Sequence, residues 1–302
     1  MKIGYPCINR SIGCRGNKTF RLKSYSEERL VETVENNLSC LSKILDFNIE
    51  NNIFFFRVTS DLVPFASHSV CTFDWQEYFK KKFEEIGKKI SQNNIRISMH
   101  PDQFIVINSK REQVVERSIK ELRYHAEVLD LMKLDNSSKI QLHVGGAYGD
   151  KKESINRFIK NYNELSEKIT NRLVIENDDK IYNASDCLNL HKKTGIPILF
   201  DYFHHKINNN HDDFEEIFSK IIRTWTKNDG MAMVDYSSQK PNERPGAHTE
   251  EIDIEDFKYF LDITKPYDFD VMFEIKDKEK SVLKVLDLVS RDIRFIKNRM
   301  LI

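Results

Sequence analysis

No apolar run in the 302-residue chain approaches the ~18 residues a membrane-spanning helix needs. Its start, Met1-Lys2-Ile3-Gly4-Tyr5, has no charged leader followed by an apolar stretch. Neither a span nor a secretory signal is expected. Glycine and proline are few, 10 and 7, and no Gly/Ser-rich linker divides the chain. Neither charge sign is in excess, with 47 Lys+Arg against 47 Asp+Glu. That balance excludes binding of nucleic acid by bulk basicity and leaves a local basic groove as the alternative. The five cysteines, Cys7, Cys14, Cys40, Cys71 and Cys187, are odd in number, scattered and without a CxxC pair. They suggest neither a disulfide framework nor a zinc ribbon, and are expected as small buried hydrophobes in a reducing cytoplasm.

What is present is an alternation. Short β-branched runs and longer amphipathic stretches follow one another eight times. The predicted strands are 2–8, 53–59, 95–100, 139–144, 172–176, 197–201, 230–235 and 270–275. The predicted helices are 26–47, 74–93, 110–134, 151–170, 183–193, 213–225, 254–263 and 278–299. Ser26 before Glu27-Glu28 and Asp74 before Glu77 are helix-start signals. Eight βα units without a linker predict a (β/α)8 TIM barrel over residues 1–302 as a single domain. A doubly wound sheet would want a Gly-rich phosphate turn after the first strand, and none is there. The connections 59–74 and 236–253 are long for a barrel, which marks them as function-bearing.

Polar residues fall at the strand ends. His100, His143, Glu176, Asp201, Asp235 and Glu274 close six predicted strands on the side where barrel active sites lie. His68, His204 and His248 follow in the loops, giving nine imidazoles and carboxylates. One strand-end histidine is readily explained by backbone hydrogen bonds. Nine converging ligand types would be costly buried charge unless metal or tight pairing offsets them. Nine exceed what one ion takes, so two or three divalent ions are expected, with Glu176 as a bridge. His125, His191 and His211 are expected as structural or surface residues, and His205, pointing away from His204, is left aside.

In this order the motifs resemble the UV damage endonucleases, barrel-type DNA repair enzymes related to endonuclease IV. The resemblance runs through Ile-Gly-Tyr-Pro-Cys-Ile-Asn (Tyr5, Asn9), Ser-Asp-Leu-Val-Pro-Phe-Ala-Ser-His (His68), Met-His-Pro-Asp-Gln-Phe (His100 to Phe104) and Leu-His-Val-Gly-Gly (His143). It continues through Ile-Glu-Asn-Asp (Glu176), Phe-Asp-Tyr-Phe-His-His (Asp201, His204), Asp-Tyr-Ser-Ser-Gln (Asp235), Gly-Ala-His-Thr (His248) and Phe-Glu-Ile-Lys-Asp-Lys-Glu (Glu274). It implies a nuclease that nicks damaged double-stranded DNA 5′ of photoproducts, leaving a 3′-hydroxyl and a 5′-phosphate. The nine ligand types would be its metal ligands, and Glu176, Asp201, His204 and Glu274 the catalytic set. Gln103-Phe104 stands where the family has a Gln–Tyr pair that enters the duplex opposite the lesion; Phe keeps the stacking face and loses the hydroxyl. Tyr5 and Asn9 resemble lesion-pocket residues. Some members carry Lys-x-His at the end of the seventh strand, where the Lys is carboxylated. This chain has Met233-Val234-Asp235, so that modification is absent on this alignment, and the added oxygen ligand favours manganese or magnesium over zinc.

The expected protein is a monomer, cytoplasmic, nucleoid-associated when on DNA. Grip on phosphates is expected from Arg10, Arg15, Lys240, Arg244, Lys276 and Lys278, while Lys80-Lys81-Lys82 and Lys88-Lys89 read as a solvated helix face. Three alternatives share parts of this pattern. An abasic-site endonuclease differs only in the pocket, a metal-dependent sugar isomerase would not need the Gln103-Phe104 pair, and a damage-binding protein with a decayed site would not retain ions.

Overall fold

The computed structural model describes residues 1–295. Eight strands, β1 (Ile3–Pro6), β2 (Phe55–Val58), β3 (Arg96–Met99), β4 (Lys139–His143), β5 (Leu173–Glu176), β6 (Ile198–Asp201), β7 (Met233–Tyr236) and β8 (Asp270–Phe273), pair in sequence order and close into a barrel. Every pairing is parallel, including β1 with β8. Around it lie α1 (Glu27–Glu50), α2 (Trp75–Gln92), α3 (Glu112–Leu131), α4 (Lys151–Asn163), α5 (Glu167–Thr170), α6 (Ala184–Thr194), α7 (Tyr202–Ile207), α8 (Phe214–Ile222), α9 (Ile254–Ile263) and α10 (Glu279–Ser290). The expected (β/α)8 barrel is the observed fold. No helix among the described residues is long and apolar enough to cross a membrane.

Local chemistry sets the helix starts. Ser26 accepts from the Arg29 N–H at 3.2 Å and Asp74 from the Glu77 N–H at 3.1 Å, each satisfying an amide that the first turn leaves free. The predicted helix 151–170 is broken, because α4 stops at Asn163 and a new turn begins at Glu167. α7 was not foreseen; it starts directly on the last residue of β6, with Asp201 as its N-cap. The predicted last helix ends earlier, at Ser290, and its residues 296–299 lie outside the described residues.

The strand period of two sorts side chains between the inside of the barrel and the helix-covered outside. Inside, Phe55, Val174, Leu199, Met233 and Met272 form a separate buried apolar layer. Two residues further along those strands stand Arg57, Glu176, Asp201, Asp235 and Glu274, so the polar layer rests on an apolar plug at the C-terminal mouth. Met233 is thereby an interior packing residue. β1 approaches β2 so closely that a Cβ on Gly4 would lie 1.8 Å from the Phe55 carbonyl oxygen, which only glycine permits. At the other end Arg96 pairs with Asp270 at 3.0 Å and Lys139 with Asp229 at 2.6 Å, closing the barrel floor.

The cysteine expectation is corrected. Cys14 and Cys40 form a disulfide across 26 residues, tying the segment after β1 to α1. Asn37 reinforces that docking by donating to the Lys18 and Asp61 carbonyls. The compartment argument from unpaired thiols therefore fails for this pair. Cys187 is buried as expected, while Cys7 and Cys71 are half-buried.

Candidate metal centre

His100, His143, Glu176, Asp201, Asp235 and Glu274 are each delivered by a strand end or the residue just beyond it. Among the described residues three groups have ligand atoms mutually within 4.8 Å: His100, His143 and Glu176; Glu176, Asp201 and His204; and Asp201, Asp235 and Glu274. Glu176 links the first two. Its Oε2 lies 3.6 Å from His100 Nε2 and 3.8 Å from His143 Nδ1, while its Oε1 lies 3.2 Å from His204 Nδ1. Asp201 spends Oδ1 on the His204 N–H at 2.6 Å, which starts α7 and places the His204 side chain beside the same carboxylates. Asn177 locks the β5 and β6 ends together, donating to the Asp201 carbonyl at 2.9 Å and accepting its N–H at 3.0 Å.

His248 arrives from the long loop after β7. That loop folds back through an antiparallel bridge between Gln239 and His248, with Gly246 donating to Gln239 Oε1 at 3.0 Å. His248 Nδ1 then meets the Glu274 carbonyl at 2.8 Å, and its ring lies 6.1 Å from that of His204. His68 stands apart from the other expected ligands: it is exposed in the loop after β2, its Nδ1 accepts from the Val70 N–H at 3.0 Å, and it belongs to none of the three groups. His125 and His191 are structural as expected, bonded to the Glu121 and Ile196 carbonyls.

Two residues were missed. Arg57 on β2 is 2% exposed and crosses the barrel to Asp235, with Nη2 at 2.8 and 2.7 Å from its two oxygens, and to Glu274 through Nη1. Gln141 on β4 donates to Asp235 Oδ2 at 2.7 Å and also to Glu176. The signal was available: Arg57 is an arginine inside Phe-Phe-Phe-Arg-Val, and Gln141 stands two residues before His143 and so on the same face.

Electrostatics separates the groups. Burial drives the Asp201 carboxyl up to about 7, with Glu176 and Glu274 adding to the rise against His204. Burial would raise Glu176 too, but the imidazoles of His143, His204 and His100 carry it down to about 2. Burial would lower His204, yet Asp201 and Glu176 hold it up to about 11. His100 falls to about 3 through burial and the neighbouring His143. Burial pushes Asp235 up, opposed by Arg57, which also holds Glu274 well below the carboxylate range against burial's pull.

The donors fit divalent metal. His100 Nδ1, His143 Nδ1 and Asp201 Oδ2 are buried without a hydrogen-bond partner, the atoms one expects an ion to satisfy. The mixed nitrogen and oxygen set suits manganese or zinc. Ion uptake must expel the His204 proton and, below about pH 7, one from Asp201 as well. Ion affinity is therefore expected to rise with pH, more steeply below pH 7 than above it. Calorimetric titration of metal-free protein with manganese, in buffers of different ionisation enthalpy, reads the released protons directly. A pH-independent affinity without buffer dependence contradicts the assignment.

At the rim, Gln103 is exposed and Phe104 is 72% exposed, so Phe104 is no core ring. It stands between two hollows of about 670 and 520 Å³, the first reaching His143 and the second His100. Tyr5 and Asn9 face the other way. Tyr5 is buried with its hydroxyl donating to Asn48 Oδ1 at 2.7 Å and accepting from Asn9 Nδ2 at 2.9 Å, so in this arrangement neither presents a surface to a lesion. Arg10, Arg15 and Arg244 are exposed, whereas Lys240 and Lys276 each reach Glu250 at 3.0 Å. Lys278 lines a cavity of about 420 Å³ with Arg57, His100, His143, His248 and Glu274. Lys80, Lys81 and Lys88 are exposed on α2 as expected, whereas Lys82 and Lys89 are half-buried and pair with Glu35 and Asp46 of α1.

Comparison with known proteins agrees with this geometry. The UV-endonuclease UvdE family model matches residues 1–300. A UV DNA damage endonuclease of Clostridium perfringens (strain 13 / Type A) is 41% identical over 289 residues, 95% of this chain and 70% of that protein. One from Bacillus cereus (strain G9842) is 34% identical over 313 residues, covering 100% and 99% of the two chains. The crystal structure of SacUVDE superposes with a TM-score of 0.92 at 44% identity, over 96% of this chain and 98% of that one. A D-tagatose 3-epimerase-like protein, at 14% identity and a TM-score of 0.59 over 99% and 100% of the chains, shares the barrel fold alone. With its whole length matched in sequence and its barrel superposing closely on SacUVDE, the chain belongs to the UV-endonuclease UvdE family.

Proposed function

We propose that this chain is a metal-dependent DNA repair endonuclease that hydrolyses the phosphodiester immediately 5′ of UV photoproducts, leaving a 3′-hydroxyl and a 5′-phosphate. Cyclobutane pyrimidine dimers and 6-4 photoproducts are its expected lesions, and it acts as a monomer. The observation that carries the reading is the buried pair Glu176 and Asp201 with the half-buried His100, His143 and His204, ligand atoms left unpartnered among them, beside the exposed Gln103-Phe104 ridge.

The residues divide the work. Glu176 turns one oxygen to each of two ligand groups and so suits a bridging position. Divalent ions, manganese foremost, would be held by His100, His143, Glu176, Asp201 and His204, and when bound would supply an activated water near neutral pH and offset charge on the phosphate. His204 is oriented by the Asn177 carbonyl, 3.0 Å from Nδ1, which leaves Nε2 as its ligand atom. His248 is oriented in the same way by the Glu274 carbonyl. The apolar layer of Phe55, Val174, Leu199, Met233 and Met272 keeps water from entering below. Arg57 and Lys278 add fixed positive charge to the cavity that would receive the phosphate. A photoproduct is already poorly stacked, so its extrusion costs less than that of a normal step, and Phe104 offers a ring face to fill the gap.

The test is incision of an end-labelled duplex with one defined cyclobutane dimer, beside abasic-site and undamaged duplexes, with manganese and with chelator. A metal-dependent nick directly 5′ of the dimer is expected; cleavage of the abasic duplex alone would move the protein to the abasic-site class. In the same assay, joint Gln103→Ala and Phe104→Ala substitution is expected to reduce discrimination for damaged DNA by about 10- to 100-fold, the worth of one stacked base. Bound metal should be unchanged. Equal losses on damaged and undamaged DNA would refute the ridge's role.

A further inference from the structure

The three ligand groups are not alike. In the first two, buried ligand atoms lack hydrogen-bond partners: His100 Nδ1, His143 Nδ1 and Asp201 Oδ2, the last belonging to a residue shared with the third. In the third, Asp235 and Glu274 already hold a cation. Arg57 Nη2 lies 2.8 Å from Asp235 Oδ1 and 2.7 Å from Oδ2, and Nη1 contacts Glu274 Oε1. Gln141 adds a donor to Asp235 Oδ2 at 2.7 Å, so both Asp235 oxygens are met by donors. Asp235 is fully buried and Arg57 nearly so, which leaves little water to screen the pair.

We propose that the Arg57 guanidinium occupies the third corner of the cluster, so that the centre takes two divalent ions rather than three, and that Asp235 anchors Arg57 instead of ligating metal. The inference rests on the metal-centre reading above and specifies its stoichiometry. A guanidinium stays charged at every pH a protein survives, so this corner carries a permanent cation. An ion placed there would have to strip Asp235 and Glu274 from Arg57 and then sit beside it. The first two groups need no cation displaced, since Glu176 faces imidazoles there, His100 and His143 with one oxygen and His204 with the other. Charge balance agrees. Four carboxylates, Glu176, Asp201, Asp235 and Glu274, are slightly more than offset by Arg57 and two divalent ions. A third ion would leave a large positive excess buried at the mouth.

Asp235 is therefore a positioning residue: it fixes Arg57, and Arg57 in turn orients Glu274. This differs from the expectation, drawn from sequence alone, that Asp235 is a hard oxygen ligand selecting the metal.

The experiment counts ions on the full chain without reference to catalysis. Metal-free protein is titrated with manganese chloride while the free ion is followed by its solution EPR signal, and Asp235→Asn and Asp201→Asn are treated in parallel. Two ions per chain are expected for the unaltered protein and for Asp235→Asn, and fewer than two for Asp201→Asn. Three ions per unaltered chain overturn the proposal. So does the loss of an ion from a folded Asp235→Asn variant, its fold checked by circular dichroism. The count on the unaltered protein decides the matter should that variant not fold. No bound ion at all would bring down the metal-centre reading itself, an outcome distinct from a count of three.

Discussion

Glu176→Gln is expected to lower incision of a dimer-containing duplex on the order of 10³-fold or more, the scale on which removing one transition-state contact is felt. DNA binding is expected to persist. The asymmetry follows from placement. Glu176 is 1% exposed at the floor of the mouth, its two oxygens facing His100 and His143 on one side and His204 on the other. An amide keeps the volume, removes the negative charge and replaces one acceptor by a donor pointed at imidazoles. The exposed residues proposed to meet DNA, Gln103 and Phe104, are untouched. Incision is read on labelled duplex and binding by fluorescence anisotropy. A variant that loses both in proportion would indicate a collapsed mouth, and one that keeps incision would remove Glu176 from the chemistry.

The second large effect concerns stability. Arg57→Met is expected to cost metal-free protein about 3–5 kcal/mol, the penalty for removing one partner of a buried ion pair. Asp235 would keep Gln141 alone, and Glu274 would lose its Arg57 contact. Added manganese should recover part of that loss, because a divalent ion can then enter the corner the guanidinium has left. Urea denaturation with and without manganese measures both quantities. A loss below 1 kcal/mol would show that water relieves the two carboxylates and that Arg57 is dispensable to the fold.

Much of this site was legible in the chain because a barrel imposes one rule on every strand: the mouth is where the strand ends. His100, His143, Glu176, Asp201, Asp235 and Glu274 could be placed by that rule without coordinates. Residues beyond the ends were less secure. His248 reaches the site only because its loop bridges back at Gln239, and His68, equally close to its strand in sequence, does not. Arg57 and Gln141 are not metal-ligand types, so a rule built on ligands passes over them, although the period of two points both inward beside the strand-end ligands. The Cys14–Cys40 bond depends on the segment after β1 folding onto α1, a tertiary event with no local signature. α7 was hidden because no turn separates it from β6.

Lys240 and Lys276, both held by Glu250, alter how the rim would meet a polyanion. Neutralising a phosphate ordinarily releases condensed sodium or potassium, which gives association a slope of about −0.9 per contact in log affinity against log salt. Here the protein carries its own tethered counterion. A phosphate that engages these lysines must evict a carboxylate that cannot diffuse away and competes again at once. Such contacts would be weaker than two free lysines would make, so a rim built this way would let go of undamaged duplex readily and leave retention to what happens at the mouth.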